Sequence, residues 1–385
     1  MLRQAISEGY QGAIDQSRRL TIAVEKILNV TFTQKYNPFY YHGALPNFFL
    51  WVLFVTGLLL FAYFNPTLQG AYPSIQYITT QIPSGALFRA MHRYAADGMM
   101  IFVLLHFVRV WFTDRYREYR ILPWITGVIL ISVLFLAGMT GYMLVWNDSA
   151  VSMMYITTHF LEGFPVIGPA MANLLLGGTL ITDFSLTRVL FLHLAIPSSM
   201  LFLLWWHYLR ITRPVTDAPL VLNLMLFGGL LLACGLYPVT MGTAPSLAHP
   251  GNTLNIDWLY MLPQGLIVNG YGIQAAWAIL LAIPIGMLLL PYIQKKQFRG
   301  QYAHVVSDNC TGCSLCFHDC PYEAIEMVDR DDDTKFKRIA IVDAGRCANC
   351  GLCVGACAFK AIEIPRMPTD RVLSEIQAAL AGGTV

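Results

Sequence analysis

Six apolar stretches divide the chain, at about 46–64, 90–112, 123–146, 188–212, 219–239 and 271–293. Each is close to the roughly 20 residues a helix needs to cross the hydrocarbon of a bilayer. Pro66, Pro123, Pro214 and Pro291 fall at their edges, where a helix tolerates the missing N–H. Pro197 and Pro284 lie inside and are expected to kink their helices. Ahead of the spans, residues 9–29 set Ala13, Leu20, Val24, Ile27 and Leu28 on one face among charges, with Ile14 and Ile22 off the stripe. That pattern predicts an amphipathic helix over residues 1–30, lying on the membrane surface. The connections 151–187 and 240–270 are long and apolar. They are expected either to roof a lipophilic pocket at the headgroup layer or simply to pack there. At Lys295 the composition turns mixed polar, which marks a domain boundary. Beyond it, residues 327–345 predict a β-hairpin with an acidic turn, and Pro368 to Leu380 a short helix.

Composition agrees with the pattern. The 385 residues are 56% hydrophobic and 12% charged, about half the charge of an average soluble chain. A net charge of +2 gives no reason to invoke nucleic acid. Residues 1–30 lack the basic, apolar, small-residue order of a cleavable signal. Cations are distributed unevenly: Arg18, Arg19 and Lys26, then Arg115, Arg117 and Arg120, Arg210 and Arg213, and Lys295, Lys296 and Arg299. Residues 147–187 and 240–270 hold no lysine or arginine. Six spans with that asymmetry put both termini in the cytoplasm.

Within the spans, ionisable residues are costly and normally functional. His92 and His106 lie fourteen residues apart in one span, and His193 and His207 fourteen apart in another. Fourteen residues is close to four helical turns, so each pair shares a face, its members about 21 Å apart. A lone histidine in an apolar helix is more often a hydrogen-bonded core residue; two pairs of matched spacing point to axial ligation. His92 with His193, and His106 with His207, would clamp two six-coordinate haems, which are electron carriers without an open site. Gly43 and Gly57, and Gly127 and Gly141, repeat the spacing of fourteen. Such glycines commonly mean close backbone packing. The alternative is that a flat macrocycle needs a missing side chain where its edge meets a flanking helix.

Eight of the nine cysteines lie between Cys310 and Cys357. Cys234 stands alone in an apolar run and reads as a small buried side chain. The others form two C-x2-C-x2-C-x3-C runs, Cys310, Cys313, Cys316, Cys320 and Cys347, Cys350, Cys353, Cys357. In bacterial ferredoxins the fourth cysteine of each run ligates the other cluster. One 4Fe-4S cluster is therefore expected on Cys310, Cys313, Cys316 and Cys357, and a second on Cys347, Cys350, Cys353 and Cys320. Zinc sites rarely use this spacing.

With these ligands placed, residues 30–215 resemble the N-terminal four-helix part of cytochrome b from the quinol-oxidising bc-type complexes. The matching stretches are SIQYITTQIPSGALFRAMHRYAADGMM, LLHFVRV, WITGVIL…GMTGYMLVW and LTRVLFLHLAIPSSMLFLLWWHYLR. The resemblance implies that Arg89 and Arg93 face the propionates of the outer haem and Arg109 those of the inner one. Residues 216–293 resemble the first two helices of the family's C-terminal part. There the family has a Pro-Glu-Trp-Tyr motif, whose acid accepts a quinol proton. This chain has Ile256-Asp257-Trp258-Leu259-Tyr260, without the proline, and an ungapped match puts Trp258 at the acid's place. Asp257 is the expected proton acceptor. The family's third C-terminal helix is replaced by the cysteine-rich module. Where chloroplast-type relatives attach an extra haem through cysteine, this chain has Tyr41, so no covalent haem is expected.

The expected fold is an all-α transmembrane bundle of six spans with a diheme four-helix core, followed by a small α+β ferredoxin-like domain. Its parts are a surface helix (1–30), the diheme core (31–215), two further helices with an outer quinone-site loop (216–294), and a cytoplasmic dicluster domain with its tail (295–385). The expected function is that of an electron-transfer subunit of a quinol/quinone oxidoreductase complex in the inner membrane. It would use two non-covalent b haems, two 4Fe-4S clusters and a quinone pool. Quinol oxidation would need a higher-potential acceptor on another subunit at the outer side. The alternatives are a quinone reductase fed by soluble ferredoxin or a cytoplasmic dehydrogenase, and a non-catalytic membrane anchor. The family resemblance implies a homodimer. His42, His159, His249, His304 and His318 have no partner spacing and are expected to be solvated or capping.

Overall fold

The computed structural model describes residues 12–364 apart from 14–15, 18–19, 22, 25–26, 29, 34–35, 113–115, 117–119, 210, 212–214, 248–259, 294–301, 321–323, 333, 345–346 and 348–350. Asp257, Trp258, Cys350 and the predicted C-terminal helix lie outside the described residues. The chain forms two compact units, residues 1–114 with 123–290, and residues 115–122 with 291–385.

In the first unit the described residues of 12–33 are helical, with Leu20 and Ile27 exposed. Five helices are long and apolar enough to cross a bilayer: α1 (Leu45–Tyr63), α3 (Gly85–Phe112), α4 (Ile121–Leu144), α7 (Asp183–Leu209) and α10 (Ile273–Ile293). The protein is thus a multi-pass membrane protein. The sixth expected span forms a shorter helix, α8 (Leu220–Leu236), of 17 residues. Pro219 precedes it, and its cap Tyr237 stands directly before Pro238, which disfavours helical backbone at Tyr237.

The long connections are more ordered than their apolar composition suggested. Residues 151–187 contain most of α5 (Asp148–Glu162) and all of α6 (Gly168–Leu176). Asn147 caps α5 by accepting from the Ala150 N–H at 2.9 Å, and Gly177 ends α6 in the left-handed region at φ 80°. The short helices α2 (Ala71–Thr80) and α9 (Leu262–Val268) occupy two further connections.

Packing follows small residues. α1 lies along α3, where Gly98 admits the Phe49 ring, and Ala90, Met91, Ala95, Met99 and Met100 continue that buried face. Two indoles tie α10 in place: Trp124 Nε1–H donates to the Met287 carbonyl and Trp277 Nε1–H to that of Phe160, each at 2.7 Å. Trp51, Phe54 and Leu58 of α1, and Phe191, Phe202 and Trp205 of α7, face outward, as lipid-facing residues do.

The second unit is a twofold repeat. Each cysteine run leads through a left-handed residue, Ser314 or Gly351, into a one-turn helix, α11 (Leu315–Asp319) or α12 (Leu352–Ala356). A strand follows each helix, β2 (Ile325–Asp329) or β4 (Ile362–Glu363). β1 (His304–Val305) pairs antiparallel with β4, and β2 with β3 (Arg338–Val342) in register from Ile325↔Val342 to Asp329↔Arg338. The predicted hairpin is present. Its turn is closed by Arg330 on Asp332, and by the Thr334 hydroxyl donating to Asp332 at 2.7 Å.

One contact tests this packing directly. A methyl group on Gly138 of α4 would overlap the ring of Tyr260, which is 1% exposed and anchored by its hydroxyl to the Ala96 carbonyl at 2.7 Å. Gly138→Ala is expected to cost about 1–3 kcal/mol by overpacking, measured as a lowered midpoint of thermal unfolding in detergent.

Candidate functional site

The four histidines of the spans each meet one of the four glycines. A Cβ on Gly57 would lie 3.0 Å from His92 Cε1, and one on Gly141 would lie 2.7 Å from His193 Cε1. A Cβ on Gly43 would lie 3.0 Å from His106 Cε1, and one on Gly127 would lie 3.5 Å from His207 Cε1. The missing side chain thus leaves room for the histidine ring at these positions. The rings of His92 and His193 face each other with centroids 6.3 Å apart and planes at 69°.

Three threonines touch the same rings at Nδ1: Thr56 to His92 at 3.0 Å, Thr126 to His207 at 2.8 Å and Thr140 to His193 at 3.2 Å. His193 Nδ1 also lies 3.0 Å from the Ala137 carbonyl, which can only accept, so this nitrogen carries the proton and Nε2 keeps a free lone pair. The sequence reading passed over these threonines. The available signal was the dipeptide, since Thr56-Gly57, Thr126-Gly127 and Thr140-Gly141 all pair the two residues. His42, expected to be solvated or capping, is instead 4% exposed, with its ring edge-on to His106 at 5.4 Å.

A single metal ion bound from both sides, with about 2 Å to each nitrogen and about 1 Å more to each ring centre, needs about 6 Å between centroids. The His92–His193 spacing meets that requirement. Among the described residues no three His, Cys, Asp or Glu side chains converge on one ion site. Two facing imidazoles are too few for a structural zinc, whereas haem brings its other donors with it.

The three arginines take different surroundings. Arg89 is buried and donates to the Val239 and Thr240 carbonyls at 3.1 and 2.9 Å. Arg93 pairs with Asp97 and lies 5.3 Å from the Tyr142 ring, and Arg109 lies over the rings of Phe39 and Tyr40. Seven residues after Asp257 in the chain, Gln264 is fully buried and donates to Thr157 Oγ1 at 3.2 Å. Its Oε1 has no hydrogen-bond partner among the described residues. The sequence reading missed it, because a single glutamine carries no spacing.

In the second unit Cys310, Cys313, Cys316 and Cys357 line one pocket. A single zinc would draw its sulfurs within about 4 Å of one another, and these side chains do not converge on one ion site. A cubane, which spaces its thiolates more widely, suits them better. The backbone N–H groups of Ala324 and Ala361 donate to the Cys320 and Cys357 sulfurs at 3.4 and 3.2 Å, the same offset in both repeats. Such bonds help set cluster potential. Arg330 donates to the Cys310 and Ser307 carbonyls, each at 2.9 Å, and fastens the start of the first run to the hairpin. Burial, and then the neighbouring Cys310, Cys313 and Cys357, push the Cys316 thiol up to about 11.

Comparison with known proteins places both units. The family profile described as Cytochrome b/b6/petB matches residues 27–214, and that of the 4Fe-4S dicluster domain matches residues 309–361. Cytochrome b6 of Acaryochloris marina is 34% identical over 194 residues, 49% of this chain and 90% of that protein. Cytochrome b6 of Cyanidium caldarium is 36% identical over 185 residues, 48% of this chain and 86% of that protein. A chain of a hyperthermophilic respiratory Complex III superposes with a TM-score of 0.56 at 20% identity, covering 70% of this chain and 80% of that one. That likeness is one of fold. A cytochrome b domain carries b-type haem and works with quinone, and a dicluster domain carries two 4Fe-4S clusters.

The raised Cys316 value has a measurable consequence. Below about 11 the thiol of the metal-free chain keeps its proton. At pH 8 about one molecule in a thousand is then thiolate. Alkylation with iodoacetamide, read by peptide mapping, is expected to modify exposed Cys313 at least tenfold faster. Labelling of Cys316 should rise about tenfold per pH unit up to about 11.

Proposed function

The chain belongs to the cytochrome b family, with a 4Fe-4S dicluster domain behind its membrane part, and from this premise we propose that it is the membrane electron-transfer subunit of a quinol/quinone oxidoreductase. The observation that carries the reading is the 6.3 Å between the His92 and His193 rings, each set against a glycine. His92 and His193 would hold one b haem, and His106 and His207 the other. Cys310, Cys313, Cys316 and Cys357 would hold one cluster, and Cys347, Cys350, Cys353 and Cys320 the other. These groups, when bound, supply one-electron transfer between the quinone pool and the cytoplasmic side, while the chain supplies their positions and potentials.

Each residue has a separate task. The four histidines would hold the two haems as electron carriers with no open site for substrate. Gly43, Gly57, Gly127 and Gly141 let the helix backbones close on the rings. Arg93 and Arg109 offer cations to the haem carboxylates, and Arg89 fastens the segment after α8 to α3. Asp257, in the loop ahead of Tyr260, accepts a proton from quinol. The lysine and arginine distribution sets both termini and the cluster domain in the cytoplasm. Quinol releases two electrons: one passes inward through the haems, and the other goes to a higher-potential acceptor on a separate outer subunit.

A second reading runs the other way, with soluble ferredoxin or a cytoplasmic dehydrogenase reducing the clusters. The exposed Cys313 at the cavity edge favours it, because it leaves the cluster site approachable from solution. Mixing the purified complex with reduced ferredoxin separates the two: prompt haem reduction supports the second reading, and haems that stay oxidised exclude it.

For the leading reading, the purified chain should contain two b haems, and added quinol should reduce them. Fewer than two haems per polypeptide would overturn it. Gly141→Val places a branched side chain where a Cβ alone would stand 2.7 Å from the His193 ring. It is expected to lower the haem count from two to one. Gly127→Ala, whose Cβ would stand 3.5 Å from His207, should keep both. Asp257→Asn is expected to slow haem reduction by quinol at least tenfold; an unchanged stopped-flow rate would remove the aspartate from the quinol site.

A further inference from the structure

The hydroxyls of Thr56, Thr126 and Thr140 each have one proton, and each already has a backbone acceptor for it. Thr56 donates to the Val52 carbonyl at 2.6 Å and Thr126 to that of Pro123 at 3.0 Å. Thr140 donates to the Leu136 and Ala137 carbonyls at 2.9 Å. What remains toward the histidine is a lone pair, so Nδ1 must be the donor in all three contacts. The carbonyl three residues before Thr140 agrees: that of Ala137 lies 3.0 Å from the same Nδ1 of His193. The threonines have no need of the histidines to satisfy their own hydroxyl protons, so the contact serves the ring.

Neighbouring residues also catch neighbouring ring atoms. In each Thr-Gly dipeptide the glycine admits Cε1, and the threonine before it takes the adjacent Nδ1. At the fourth glycine the preceding residue is His42, whose ring meets His106.

We infer that Thr56, Thr126 and Thr140 are positioning residues that lock His92, His207 and His193 in the Nδ1–H tautomer, turn Nε2 toward the metal and strengthen its electron donation. The inference rests on the reading that these histidines hold haem. A hydrogen bond accepted from the outer nitrogen raises the basicity of a metal-bound imidazole. A more basic ligand stabilises the more highly charged ferric state, so each threonine lowers the reduction potential of the haem it serves. Thr56 and Thr140 act on the His92–His193 haem, and Thr126 on the His106–His207 haem.

The test uses the full chain purified from membranes, with each threonine changed to valine, which keeps the shape and removes the lone pairs. In Thr140→Val the reduction equilibrium of one haem is expected to shift about tenfold toward the reduced form, or 59 mV for a one-electron couple. Its low-temperature electron-spin g values should change while the other haem stays put. Thr126→Val should move the other haem instead, and Thr140→Ser, which restores the hydroxyl, should return the wild-type values. Potentials and g values unchanged in all three valine variants, with both haems bound, would overturn the inference. Should Thr140→Val lose its haem, the serine variant decides: retention of haem there supports the role, and loss there overturns it. A wild-type chain without two b haems would instead sink the underlying reading, and the haem count reports that separately.

Discussion

A helix backbone can approach an imidazole ring this closely only where a Cβ is absent, and the membrane unit depends on three such absences, at Gly43, Gly57 and Gly141. At Gly57 and Gly141 the clearance to the ring is below ordinary van der Waals contact for any substituent, while Gly127 leaves slightly more room. Gly57 lies in α1, Gly127 and Gly141 in α4 and Gly43 in the turn just before α1, while α3 and α7 supply the histidines. The same contacts therefore fix these elements against one another. Hydrophobic burial cannot do this work in a bilayer, since lipid is as apolar as leucine. Small residues and satisfied polar groups discriminate instead.

The cluster domain solves a different problem with the same economy of parts. Its repeats are short, and its buried core is built largely from alanine, isoleucine and the cysteines themselves. Each repeat ends with an amide donating to the sulfur of its last cysteine, immediately ahead of a strand. Cysteine, helix and strand are thus fixed as one unit. A single arginine, Arg330, then joins the first run to the hairpin turn.

The candidate ligands stand out in the sequence because such chemistry imposes a period. Fourteen-residue spacing in histidine and glycine, and two-residue gaps in cysteine, are properties of a linear string. What the string concealed lies at right angles to it. The Thr56–His92, Thr126–His207 and Thr140–His193 contacts join residues far apart in the chain. The helices α5 and α6 were hidden because their largely apolar composition resembles a loop packed under headgroups. The limit of α8 was set by Pro219 and Pro238, which a hydropathy average smooths over. Arg89 adds a contact of the same hidden kind, since its guanidinium donates to two carbonyls about 150 residues along the chain.

The 17 residues of α8 give it a length of about 26 Å. That is short of the roughly 30 Å of hydrocarbon in a typical bilayer. Its neighbour α3, with 28 residues, is about 42 Å long and overshoots. One protein surface therefore asks for two lipid thicknesses. Acyl chains must compress beside α8 while α3 tilts or projects, at a cost of fractions of a kcal/mol per Å of mismatch. A thin spot of that kind favours short-chain or unsaturated lipids along one flank of the molecule, and it biases the protein toward thinner membranes.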